Sequence, residues 1–297
     1  MNKLKTAKCI QVVAALVEGV SVNATCRMTG VSKGAILGLL EDLGCACADF
    51  HNRMVRNVKV RRVQCDEIWA FVYAKQKNVT EEQMKKGAGD CWTWTAIDAD
   101  TKLIISYALG DRGINTARFF IDDLASRVSN RFQLTTDGHR VYVDAVEDSF
   151  GSEIDYAMLV KVYGAAGDNS TESRYSPATC IDCRTAKITG NPDPKHISTS
   201  YVERQNLTMR MGIRRFTRLT NGFSKKVENH GHAVALHFMH YNFCRVHMSL
   251  RVTPAMEAGL TDHVWSLQEL CGLMQAKKPM SRVKTVERAM ILKALGS

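Results

Sequence analysis

Long apolar runs and a dense cysteine framework are both missing from this 297-residue chain. No apolar stretch reaches the roughly 20 residues of a membrane-spanning helix, so we expect a protein that does not cross a membrane. Lysines precede an apolar run at the amino terminus, but Gln11 interrupts that run and no small-residue cleavage site follows. We therefore expect a helix there and not a signal peptide.

The ten cysteines are scattered without the spacing of a disulfide scaffold, which indicates a reducing, cytoplasmic location. Cys180 and Cys183 have the spacing of half a zinc site, and His196 is a candidate third ligand. A fourth ligand is not evident in the sequence. A structural zinc ion and a pair of free thiols therefore remain alternatives for this segment.

Acidic residues are fewer than basic ones. Thirty Asp and Glu stand against forty Lys and Arg, which gives a formal net charge of +10. Such an excess favours polyanionic partners through long-range attraction and counterion release, and nucleic acid is the first candidate. The 45% hydrophobic content is enough for one substantial core with a small accessory domain.

Residues 1–50 predict a small helical domain. Apolar residues recur at helical spacing near the amino terminus, and Ser21 and Ser32 are candidate caps of two further helices. Gly30 would make the turn between these helices, and the third helix would end before Gly44. This order is typical of a helix-turn-helix.

In a helix-turn-helix the third helix enters the major groove of DNA, so Lys33 at its start is a candidate DNA contact. A three-helix packing unit without DNA contacts is the alternative. Residues 51–62 contain five Arg or Lys and no acid, which predicts a basic linker that touches phosphates.

Alternating apolar residues separated by turn residues predict a sheet in the middle of the chain. The predicted strands cover 63–73, 91–98, 102–109, 132–136 and 156–162, and predicted helices cover 116–128 and 141–150. This order predicts an α/β protein whose mixed sheet is flanked by helices, as in the ribonuclease H-like fold. We expect that domain at 63–226, with a polar and largely irregular insert at 164–198, followed by helices and a basic tail at 227–297.

Three acidic residues occupy positions that suit a metal site. Asp66 lies inside a predicted strand, where an ionised carboxylate needs a positive partner. Strand alternation places Asp66 and Glu67 on opposite faces, so we expect only one of them in a given site. Asp137 directly follows a predicted strand, and Glu203 falls in the first turn of a helix predicted over 200–216. Three such carboxylates can hold two hard cations about 4 Å apart beside a phosphodiester.

Several strings resemble those of bacterial insertion-sequence transposases of the DDE type, in the family founded on the first-described insertion sequence. The strings are CDEIWAFV at 65–72, TTDGHRVY at 135–142, TSYVERQNLTMRMGIRRFTRLTNGFSKK at 199–226 and YNFCRVHMSLRVTPAM at 241–256. The resemblance implies that Asp66, Asp137 and Glu203 are a catalytic triad with two Mg²⁺ or Mn²⁺ ions. It also implies that Arg210 is the basic residue that follows the glutamate.

The implied reaction is end cleavage and strand transfer on double-stranded DNA, both transposon ends and target DNA. The implied assembly is a homo-oligomer on paired ends. The implied location is the bacterial cytoplasm, where the protein would be associated with the nucleoid. The segment from Arg204 to Lys226 has basic residues and no acid, which suits a DNA-tracking surface. The candidate DNA contacts there are Arg204, Arg210, Arg214, Arg215, Arg218, Lys225 and Lys226.

Two other functions stay open. A non-catalytic relative would keep the fold and act as a DNA-binding regulator, and a nuclease of the same superfold would cleave DNA without joining it. His139 is a candidate phosphate contact because it follows Asp137 closely. The histidines from His230 to His240 lie on a helix with an apolar face, so we expect core or surface positions for them and not a metal site.

Overall fold

A mixed α/β structure is present in the computed structural model, which describes residues 4–164 and 180–275. The six strands lie in the order β3-β2-β1-β4-β5-β6. They are β1 Arg62–Val72, β2 Gly89–Asp98, β3 Ile104–Gly110, β4 Gln133–Asp137, β5 Asp155–Tyr163 and β6 Cys180–Thr189. β1 pairs in parallel with β4, and β4 with β5, whereas the other neighbours are antiparallel.

The described residues form ten α-helices, and two of them begin directly after the predicted caps Ser21 and Ser32. The ten helices are α1 Thr6–Val17, α2 Val22–Thr29, α3 Lys33–Met54, α4 Glu81–Lys85, α5 Ile114–Ala125, α6 Val141–Phe150, α7 Ser200–Gly212, α8 Val227–Met239, α9 Pro254–Glu257 and α10 Leu267–Gly272. The Ser21 hydroxyl accepts a hydrogen bond from the Ala24 backbone, and the Ser32 hydroxyl accepts one from the Ala35 backbone. Gly30 ends α2 with a left-handed φ of 71°.

The predicted end of the third helix before Gly44 is wrong, because α3 continues to Met54. A glycine ends a helix when it takes a left-handed conformation, but Gly44 instead lets α8 approach closely. A Cβ atom at Gly44 would lie 2.5 Å from the Cβ of His232 in α8. The second half of α3 is therefore part of the core, and Phe50 contacts the ring of Phe243 at 5.5 Å.

Part of the predicted irregular insert at 164–198 is a regular strand. β6 pairs with β5 at the edge of the sheet, and its side chains are exposed. An edge strand without a buried face has no apolar alternation, which is why the sequence pattern did not predict it. Residues 165–179 of the insert lie outside the described residues.

Tertiary contacts accompany the breaks in the carboxyl-terminal helices. A helix was expected to run on to residue 216, but α7 ends at Gly212 and a short 3-10 helix, Arg214–Phe216, follows. α8 passes into a π-helical turn at His240–Cys244, and there the buried Asn242 bonds both the N–H and the carbonyl of Ile104 in β3. The predicted basic tail lies outside the described residues beyond 275. None of the helices in residues 4–164 and 180–275 combines the length and the apolar character needed to span a bilayer.

Helices cover both faces of the sheet at the centre of the molecule. Asn206 of α7 donates a hydrogen bond to Asp66 of β1, whereas Tyr142 of α6 lies beside Glu67. Neighbouring residues of a strand point to opposite faces, so α6 and α7 lie on opposite sides of β1. Gln64, two residues before Asp66, accepts from the first backbone N–H groups of α7 and so fixes the start of that helix on the sheet.

Candidate active site

Three carboxylates meet where β1 and β4 lie side by side. The pairing of these strands ends at Cys65 and Thr136, and β4 itself ends one residue later at Asp137. The side chains of Asp66, Glu67 and Asp137 offer oxygen atoms that all lie within 4.8 Å of one another. The predicted convergence of Asp66 and Asp137 is therefore present, together with a third acid that the sequence interpretation set aside.

Glu67 joins the group although it points to the other face of the sheet. β4 ends at Asp137, so beside Glu67 no part of β4 lies between the two faces of the sheet. The Glu67 side chain is 0% exposed. The alternation of side chains along a strand predicted that Asp66 and Glu67 would not share a site. That rule holds inside a sheet, but it does not separate the two side chains where the neighbouring strand ends.

Asp66 is held by hydrogen bonds from two directions. One carboxylate oxygen accepts the Glu67 backbone N–H at 2.8 Å, and the other accepts the Asn206 side-chain amide at 2.8 Å. Burial, reinforced by the nearby charge of Asp137, raises the pKa of Asp66 to about 7. Burial and the Asp137 charge likewise raise the pKa of Glu67 to about 8. A site that disfavours its own negative charge so strongly is suited to a bound cation.

Glu203, the predicted third member of the triad, is beside this group but not in it. Its carboxylate forms an ion pair with Lys161 of β5 at 2.5 Å, and Thr199 donates a hydrogen bond to it at 2.5 Å. Its charge still contributes to the raised pKa of Asp66, which places it close to the site. No sequence signal marked Lys161, because strand pairing alone brings it to α7.

Arg112 binds two of the three acids and was missed by the sequence interpretation. Its Nε lies 3.2 Å from a Glu67 oxygen, and its Nη2 lies 3.3 Å from an Asp137 oxygen. The guanidinium also stacks over the ring of Trp92 at 4.9 Å from the centroid. The position of Arg112 directly after β3 was a usable signal. β3 runs in the same direction as β4 and ends at the same edge of the sheet.

His139 is fixed next to the acids. Its backbone N–H donates to Asp137 at 3.0 Å, and its ring nitrogen Nε2 lies 3.0 Å from the Arg112 carbonyl oxygen. This places His139 at the edge of the site, where its contact with a phosphate stays a prediction.

Several of the predicted DNA contacts share one cavity. A cavity of about 270 Å³ lies between the amino-terminal helices and the segment that follows α7, and none of the described residues that line it is acidic. Its basic lining residues are Lys33, Arg214, Arg215 and Lys225. Burial alone lowers the pKa of Arg215 to about 10, with no described carboxylate contributing. Four cations from distant parts of the sequence therefore face one space.

The other predicted contacts lie outside this cavity. Burial and the charge of Arg218 lower the pKa of Arg210, and Asp66 acts in the opposite direction. Arg210 is therefore near both the acidic site and Arg218, as expected for a cation seven residues beyond Glu203. Arg204 and Lys226 do not line the cavity.

Within the described residues, no set of zinc ligands forms around Cys180 and Cys183. The sulfur atoms of Cys180 and Cys183 lie 3.6 Å apart on the exposed strand β6. The ring of His196 bonds Arg62 at 2.6 Å. Within residues 4–164 and 180–275, the group of three or more metal-type ligands is the one at the sheet centre, and these cysteines do not belong to it.

Comparison with known proteins gives weak structural similarity and no match among family models or curated proteins. Among solved structures, the chain is similar to a chain of a piggyBac transposase synaptic complex with hairpin DNA, determined by cryo-electron microscopy. The TM-score is 0.38 at 12% identity, over 98% of this chain and 73% of that chain. This overlap is too low to assign a shared fold.

Proposed function

We propose that this protein is a DDE-type DNA transposase, a metal-dependent enzyme that cleaves the ends of an insertion sequence and joins them to target DNA. The proposed catalytic domain is ribonuclease H-like. The observation that supports this most directly is the convergence of Asp66 and Asp137 at neighbouring parallel strands, beside the helix that holds Glu203.

The donor set fits Mg²⁺ or Mn²⁺, which prefer oxygen ligands. The side chains that meet at the site are carboxylates, and a buried oxygen of Glu67 has no hydrogen-bond partner among the described residues. Asp66 and Asp137 would hold the first ion, and Glu203 would complete a second site after leaving Lys161. When bound, two such ions activate an attacking oxygen and stabilise the leaving oxygen of a phosphodiester.

The chain's own residues have separate tasks around that chemistry. Asn206 orients the Asp66 carboxylate through its hydrogen bond. Arg210, close to Asp66, would bind the phosphate beside the reacting one. Lys161 neutralises Glu203 until DNA and metal enter.

The partner is double-stranded DNA, and the acid-free cavity supports this choice. Lys33, Arg214, Arg215 and Lys225 would bind backbone phosphates, which fix the position of a protein on DNA without reading sequence. The three helices at 1–50 would read the transposon end as a helix-turn-helix. We further propose a homo-oligomer on paired ends in the bacterial cytoplasm, associated with the nucleoid.

The test is a strand-transfer assay with labelled DNA that flanks the gene, in the presence of Mg²⁺ or Mn²⁺. We expect nicked and joined products from the wild-type protein and none from Asp66→Asn, which should still bind the DNA. Asp148→Asn is the matched control, because Asp148 is exposed and pairs with Arg118 away from the site. Equal activity of Asp66→Asn and the wild type would contradict the proposal.

A non-catalytic regulator is the second candidate, and one observation favours it. Glu203 is bound to Lys161 and Thr199, and it lies outside the group that Asp66, Glu67 and Asp137 form. The same assay decides: a regulator would bind the DNA and give no product with any divalent metal. Nicked DNA without joined product would instead indicate a nuclease.

A further inference from the structure

Glu67 is the most deeply buried acid of the central site. Its side chain has no exposed surface, and one oxygen, Oε2, is bound by the Nε of Arg112 at 3.2 Å. The other oxygen, Oε1, is buried and makes no hydrogen bond to the described residues. The Tyr142 hydroxyl lies beside Glu67, but it too is without a partner of hydrogen-bond geometry in the described part of the chain. A buried carboxylate oxygen without a donor is costly and needs a ligand.

The Glu67 carboxylate lies close to the other acids. Oxygen atoms of Glu67, Asp66 and Asp137 lie within 4.8 Å of one another, which is the spacing of ligands around one ion. Arg112 contributes one positive charge against the three carboxylates. With all three acids ionised, a divalent cation would balance the charge that remains.

Arg112 bridges two of the three acids. Its guanidinium is 41% exposed and stacked over Trp92, and it uses separate nitrogen atoms for Glu67 and Asp137. Arg112 therefore bonds one oxygen of each carboxylate, and Oε1 of Glu67 is left without a hydrogen bond in the described part of the chain.

We propose that Glu67 is a direct carboxylate ligand of the divalent cation that Asp66 and Asp137 hold. This inference rests on the proposed function for the presence of the cation, and it adds a fourth acid to the site. In the DNA-free protein the first ion is bound by Asp66, Glu67 and Asp137. Glu203 stays with Lys161 until a second ion is needed.

The test is Mn²⁺ binding to the full-length protein without DNA, measured by isothermal titration calorimetry and by electron paramagnetic resonance of the bound ion. Loss of a residue that only supports a metal ligand weakens binding about 10- to 100-fold, so we expect Glu67→Gln to raise the Kd for Mn²⁺ at least about tenfold. Glu82→Gln, at an exposed position of α4, is the control.

The outcomes separate this inference from the proposed function. If Asp66→Asn loses Mn²⁺ binding while Glu67→Gln binds as tightly as the wild type, Glu67 is not a ligand and the metal site remains. If neither change alters the Kd, the metal site itself is refuted. Should Glu67→Gln fail to fold in a thermal melt, Glu67→Asp provides the same test, because its shorter carboxylate should bind Mn²⁺ more weakly. Unchanged affinity in that variant would overturn the inference.

Discussion

The carboxyl groups of Asp66 and Glu67 make the centre of this protein sensitive to pH. Burial is the main reason that their pKa values rise to about 7 and about 8, and the charge of Asp137 adds to it. In the unfolded chain these groups lose their protons at ordinary values of 3.8 and 4.5. The folded, metal-free protein therefore binds protons that the unfolded chain has released, so these two groups lower its stability as pH rises through that interval.

We predict that the double variant Asp66→Asn, Glu67→Gln is more stable than the wild type near pH 8 in the presence of a chelator. The advantage should shrink as pH falls toward about 5, where the wild-type acids are protonated. Thermal unfolding midpoints of both proteins across that range measure it. The difference between the proteins is the relevant quantity, because the buried His51, whose pKa is lowered to about 4, acts in the opposite direction in both. A difference that does not change with pH would contradict the electrostatic account.

At the scale of secondary-structure elements, the contact of α3 with α8 depends on one glycine. A Cβ at Gly44 would lie 2.5 Å from the Cβ and 2.7 Å from the Cα of His232. Gly38 lies in the same helix with nothing within 4 Å of the position of a Cβ. The two positions therefore separate helix propensity from packing.

We predict opposite effects of the same substitution at these two glycines. Gly38→Ala should raise the free energy of unfolding by roughly 0.5–1 kcal/mol, since alanine is the better helix former. Gly44→Ala should lower it by about 1–3 kcal/mol, because the helices must move apart. Urea unfolding followed by circular dichroism measures both changes. Equal stabilisation by the two variants would show that α3 and α8 are not in close contact at Gly44.

Across the whole molecule, basic residues are distributed along a path that starts at the acidic site. Gly212, where the cavity begins, follows Glu203 by nine residues, which is about 14 Å along α7. Arg210 lies between these two points, and the nearby charge of Arg218 lowers its pKa. A DNA strand advances about 3.4 Å per nucleotide, so the path corresponds to roughly four nucleotides.

We predict that Arg215→Gln weakens DNA binding and lowers the slope of log affinity against log salt concentration by about one, the loss of one phosphate contact. The variant should fold normally, because it removes a buried charge without a described counterion. Arg118→Gln removes the same charge at an exposed ion pair with Asp148 and should leave the slope unchanged. Fluorescence anisotropy with labelled duplex DNA gives both slopes. If the two variants behave alike, Arg215 does not contact a phosphate.

Much of the architecture was predictable because local sequence patterns indicate its helices and strands. Hydroxyl caps at Ser21 and Ser32 define two helix starts, and runs of alternating apolar residues define β1 to β5. The end of β4 at Asp137 followed from the Asp-Gly pair after an apolar run. Local patterns failed at α3, where a glycine serves packing, and at β6, where an exposed edge strand has no apolar face.

The sequence by itself predicted a mixed sheet flanked by helices, with Asp66 inside one strand and Asp137 directly after another. Only the tertiary structure decided that Glu67 joins them, that Arg112 binds two of the acids and that Glu203 is paired with Lys161. The physical reason is that these contacts join side chains from strands and helices far apart in the chain. Their approach depends on the order of the strands and on where β4 stops, and neither is encoded in the spacing of nearby residues.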